Sequence, residues 1–203
     1  MTHAITRMFK GVYSPLIFNH SSRVFYFASI VAARRGIKVN GELLYVSAMF
    51  HRFGLTPQTV KSNHPIEIDG ANAAGEFLKS FPVSKLARTQ VWDAVALSAT
   101  PGVSAHKSSL ARTLQYGIET DLLGMHFCEV TAPQRVQALR SFPREADFAD
   151  RIIQSIGLAL KYRTETAFGT VYSDILERTD PTYHRPNFCG KILGSDWSDW
   201  LQV

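Results

Sequence analysis

The side chains best placed to move protons or ligate a metal are few and far apart: His20, His51, His64, His106 and Asp121. Histidine exchanges a proton or offers a lone pair near neutral pH, and a nearby carboxylate can orient it or share its ligand. His20 opens a helical stretch, His51 lies inside another, His64 falls in a loop, His106 follows a Pro-Gly turn, and Asp121 sits within a later helix. Ser104 precedes His106 by two residues, but no GxSxG elbow accompanies it, which argues against a serine hydrolase. The chain also lacks a Walker loop, a GxGxxG turn and an HExxH pair.

The elements that must carry these residues read as helices. Asn19 is a candidate cap for a helix from His20 to Arg35, closed by Gly36, and Asn40 caps a second from Gly41 to Phe53, with Gly54 as its stop. Asp69 is the expected cap of a helix through Ser80, and Ser84 opens one through Leu97 that Thr100-Pro101-Gly102 breaks. Further helices are expected over 108–123, 131–141, 145–162, 170–178 and 187–193. Strand-like alternation is confined to His64–Ile68. The expectation is an all-α, single-domain bundle spanning residues 1–203.

Several segments together resemble one family. NHSSRVFYFASIVAARRGIKVNGELLYVSAMFHRFGLT, EIDGANAAGEFL, VWDAVALSATPGVSAH, TDLLG, RTETAFGTV and RPNFC follow in order over roughly residues 14 to 197, and look like the cyanamide hydratase-like branch of the HD-domain superfamily. The resemblance implies an HD-type helical bundle and a divalent-metal ligand order of His, His-Asp, then Asp. Carried over, His20, His51 and Asp121 match, whereas Arg52 stands where the middle Asp is expected. Ser98 stands where the branch tends to carry a His, and Asp69 and His106 match motif positions.

An Asp-to-Arg exchange removes a ligand and changes the local charge by +2. A guanidinium has no lone pair, and at about 4 Å from a divalent ion it would repel it by roughly 8 kcal/mol at an effective dielectric of ~20. The resemblance and this break together lead to a metal-free reading, with cofactors none. Arg52 would neutralise Asp121 or Asp69, bind an oxyanion or acidic group, and leave His20 and His51 free for acid–base work with Asp121 orienting one of them. The reaction class would be isomerase, cyclase, or lyase/hydratase, and Asp69, Ser98 and His106 would contact a small-molecule substrate. One alternative is a metal-dependent hydratase or hydrolase of a nitrile-type substrate, its divalent ion held by His20, His51 and Asp121. Another is a non-catalytic ligand-binding protein. His64, Glu67 and Cys128 carry no assigned role.

Composition narrows the class. Of 203 residues 45% are apolar and 19% charged, with 13 Phe, 7 Tyr and 3 Trp, enough for a real core and incompatible with a disordered chain. The net charge of +5 is dispersed apart from Arg34-Arg35-Gly36-Ile37-Lys38, so no nucleic-acid partner is expected. The most apolar run, Val24–Ala33, is half a membrane span, and the first twenty residues lack a signal-peptide pattern, so no membrane partner and a cytoplasmic setting are expected. Cys128 and Cys189 form no CxxC pair and read as free thiols. Trp197 and Trp200 serve either a docked tail or a homodimer contact.

Overall fold

Six of the helices begin where a short polar side chain accepts from a free backbone N–H of the first turn. The computed structural model describes residues 1–198. Among them the elements are α1 (Thr2–Val12), α2 (Pro15–Arg34), α3 (Gly41–Phe50), α4 (Ile66–Leu78), α5 (Lys85–Ala96), α6 (Ser104–Lys107), α7 (Ser109–Leu123), α8 (Ala132–Ser141), α9 (Phe148–Leu160), α10 (Tyr172–Thr179) and α11 (Phe188–Leu193), with short 3-10 turns and no strand. The fold is all-α. Trp200 lies outside the described residues, and Trp197 is exposed rather than docked.

Several caps are the expected ones. Asn40 and Ser84 accept from the backbone N–H three residues on; the helix expected over 108–123 is bounded by Ser108, which does the same, and by Gly124 in the left-handed conformation (φ 67°). Three expectations change. α2 starts five residues earlier than His20, because Ser14 caps it and Pro15 fits its first turn, so Asn19 is interior. α4 starts at Ile66 behind Pro65, which puts Asp69 in the first turn instead of the cap and removes the strand-like reading of His64–Ile68. α3 stops at Phe50, leaving His51 and Arg52 on the turn that leads out of it. α1, not anticipated, buries Ile5 and Phe9 on one face.

One contiguous apolar core runs from Ile5 to Leu176. Its axis is the pair α2 and α7, which pack so closely that a Cβ at Gly117 would lie 2.2 Å from the Val24 carbonyl oxygen. Around that pair, α3 packs on α2, α5 on α7 and on α4, and α9 bridges α2 and α10. α2, α7 and the end of α3 therefore converge, and they carry His20, Asp121 and His51. No described helix is long and apolar enough to cross a membrane.

Candidate functional site

His20 and Arg23 stand three residues apart on α2, hence on one face of it, and that face meets Asp121 on α7. His20 Nδ1 lies 2.7 Å from Asp121 Oδ2, while Arg23 donates from Nε to Oδ1 (2.6 Å) and from Nη2 to Oδ2 (3.1 Å). The remaining Arg23 nitrogen donates to the carbonyls of Phe142 and Pro143, and the Phe148 ring packs against both the guanidinium and the His20 ring. All three polar residues are buried. Burial alone would raise the Asp121 pKa, but the hydrogen bonds and charges of His20 and Arg23 outweigh it and hold the carboxyl below its usual range.

His51, also buried, places Nδ1 2.7 Å from the Ala48 carbonyl and Nε2 3.3 Å from His20 Nε2. A carbonyl only accepts, so His51 Nδ1 carries hydrogen; by the same reasoning His20 Nδ1 donates to the Asp121 carboxylate. In the neutral rings the two Nε2 lone pairs then face one another across 3.3 Å, a position that holds one proton at most. Burial pushes the His20 pKa down to about 4 despite the Asp121 bond, and burial with the Arg52 charge pushes His51 well down.

Arg52 resolves the question of direction: it is only 4% exposed and turns inward. Nη1 donates to Tyr172 Oη at 3.1 Å, Nε has no hydrogen-bond partner, and no carboxylate among the described residues lies within ion-pair distance. The buried Glu67 carboxyl lies near Tyr172 and Arg52, its Oε1 has no hydrogen-bond partner, and burial raises its pKa. Burial, then the Glu67 charge, keeps the Tyr172 phenol protonated well above its ordinary pKa.

Arg52, Tyr172 and Ser98 open onto a cavity of about 280 Å³, otherwise walled chiefly by Ile118, Phe148 and Ile152. Neither His20 nor His51 lines it; Phe148 and Arg52 do. A mostly apolar cleft with a few fixed polar groups is the usual form of a small-ligand site.

Of the residues singled out from sequence, the structure brings together His20, His51, Arg52 and Asp121, with Ser98 on the cavity wall. Asp69 and His106 fall elsewhere. Asp69 is bound by Arg163 and by the Ser62 hydroxyl, where Arg163 ties it to the carbonyls of Gly54 and His64. His106 is exposed on α6 and lines no part of the cavity. The expected partnership of Arg52 with Asp121 or Asp69 is likewise corrected: Arg23 holds the first and Arg163 the second. Arg23, Tyr172 and Gln115 went unread, and Glu67, given no role from sequence, stands beside Tyr172. Only Arg23 carried a local signal, a cation one helical turn from His20.

The metal set implied by the family resemblance is not assembled by the described residues. Two ligands ~2.1 Å from a tetrahedral ion stand about 3.4 Å apart, so the two Nε2 atoms are suitably spaced. No third donor joins them. Both Asp121 oxygens are bound by His20 and Arg23, Arg52 occupies the neighbouring position, and no group of three His, Cys, Asp or Glu side chains suited to a metal occurs among the described residues. No protein-family model matches the chain, and no curated protein matches it.

Proposed function

We propose that the protein is a small-molecule enzyme of HD-like ancestry whose cavity binds an acidic or enolate oxygen on Arg52 and carries out acid–base chemistry of the isomerase, cyclase or lyase class. The observation that carries this reading is Arg52 itself, a buried cation with an unpartnered Nε at the wall of an apolar cavity. Burying a charge without a counter-charge is costly, and a protein keeps such a group where a ligand supplies the missing partner. Tyr172 is the proton-bearing group in contact with the cavity. Glu67 lies near it as the group to take or return a proton, and the His20 ring lies against the inner side of Phe148 with His51 next to it.

The test is an incubation of purified protein with small carboxylic and carbonyl compounds in deuterium oxide. Mass spectrometry would read deuterium incorporation, or the mass change of an elimination or hydration. Turnover lost in Arg52→Met and Tyr172→Phe supports the reading. Burial of both imidazoles away from the cavity favours a second reading, a non-catalytic binding protein. Its signature is a ligand-dependent rise in melting temperature with no turnover of any stabilising compound.

A further inference from the structure

The cavity holds a second polar handle, of opposite sense to Arg52. Gln115 is 6% exposed, and its side-chain nitrogen donates to Glu119 Oε1 at 3.0 Å, while its own Oε1 has no hydrogen-bond partner. Reversing the amide would set its oxygen against the Glu119 carboxylate, so the orientation is fixed and an acceptor is what Gln115 leaves for the cavity it lines. Glu119 is the carboxylate among the lining residues, and its second oxygen is engaged by His126 Nε2 at 2.9 Å. Arg144, exposed at the rim and lying over the Phe148 ring, adds a second positive charge to the approach.

We infer that this cavity selects a small, largely apolar carboxylic acid that also carries a hydroxyl or N–H donor, with the carboxylate on Arg52 and the donor on Gln115. The inference rests on the ligand-binding reading above and deepens it. A neutral ligand would leave Arg52 without a counter-charge. A diacid would bring its second anion to an acceptor oxygen beside Glu119. A ligand without a donor would leave the Gln115 oxygen buried and unbonded, a defect that weakens binding by about tenfold or more. At ~30 Å³ for each water-sized group, 280 Å³ admits about nine non-hydrogen atoms, the size of a hydroxylated aromatic or branched aliphatic acid.

The experiment is titration calorimetry of the intact chain with a panel of aromatic and branched aliphatic compounds of about ten non-hydrogen atoms, such as 2-, 3- and 4-hydroxybenzoate. Each is paired with its unhydroxylated acid and its alcohol counterpart, against wild type, Arg52→Met and Gln115→Leu. At least one hydroxy acid should bind at least tenfold tighter than both of its counterparts. Arg52→Met should erase the preference for acid over alcohol. Gln115→Leu should erase the preference for the hydroxyl while still binding the plain acid, which also shows that the variant is folded. Equal binding of acids and alcohols overturns the ligand class but leaves the cavity a binding site. Binding by no member of the panel overturns both this inference and the reading beneath it.

Discussion

Replacing Arg52 by methionine should make the protein more stable and less functional at once. Arg52 is 96% removed from solvent by its 4% exposure, and desolvating a cation carries an effective penalty of several kcal/mol. Against this stand one hydrogen bond to the neutral Tyr172 phenol, about 1.5–3 kcal/mol for a charged donor, and the attraction of the Glu67 charge, which lies beyond ion-pair distance. The unpartnered Nε adds a further cost of about 1–3 kcal/mol. Methionine fills similar volume, bends to irregular space and has no donor to satisfy. The net expectation is a gain of about 1–3 kcal/mol, which for a chain of this size raises the melting temperature by roughly 2–4 °C per kcal/mol. Thermal and urea unfolding of wild type and Arg52→Met give the number directly. A variant destabilised by 2 kcal/mol or more would refute the reasoning, because it would make Arg52 a structural cation whose partner the cavity does not provide.

The neighbouring charges should behave in the opposite way. Asp121→Asn leaves Arg23 buried without its anion and should cost about 3–5 kcal/mol in urea unfolding, whereas Arg23→Met with Asp121→Leu should recover most of that loss; a double-variant loss equal to the sum of the losses of Arg23→Met and Asp121→Leu alone would show the pair is not coupled. Acid should destabilise the fold before most carboxylates titrate. Since the His20 pKa falls from 6.5 to about 4 on folding, the unfolded chain binds the extra proton, and stability complete above pH 6.5 declines as pH falls towards 4, by about 3 kcal/mol from His20, with His51 acting in the same direction. Urea midpoints that stay flat between pH 7 and 5 would contradict this. Finally, Arg52→Asp supplies a carboxylate beside two suitably spaced imidazole nitrogens, so the variant should retain a divalent ion through gel filtration at a higher molar ratio than wild type, read by plasma mass spectrometry.

What the sequence makes legible here is local. Asn40 and Ser84 mark helix starts because each acts through its own backbone neighbours, within four residues. The Asn19 and Asp69 caps fail for the same kind of reason. Ser14-Pro15 and Pro65 are stronger start signals a few residues upstream, and a helix takes the first one that its apolar face permits. The direction of Arg52 was not legible at all, because it depends on α3 ending at Phe50 rather than Phe53. In a continuing helix Arg52 would be turned 100° from His51; on the turn it points inward. The ion pairs were hidden by distance in sequence: Arg23 and Asp121 are 98 residues apart, and Arg163 and Asp69 are 94.

Three arginines are buried among the described residues, and comparing them says more than any one alone. Arg23 is wholly buried and fully employed, with two bonds to Asp121 and two to backbone carbonyls. Arg163, 1% exposed, is tied to Asp69, to the carbonyls of Gly54 and His64, and to the Ala159 carbonyl in the last turn of α9. Each cation thus meets one anion and enough carbonyls to use its donor fork, as a guanidinium taken from water requires. Arg52 has neither; it has one phenol and one idle N–H. The same chain, under the same penalty for burying charge, gives every nitrogen of two guanidiniums a partner and leaves the third incomplete where the core opens into a cavity. A packing requirement would have been met by methionine or leucine at lower cost. An arginine kept incomplete at that position is accounted for by a partner that arrives from solution.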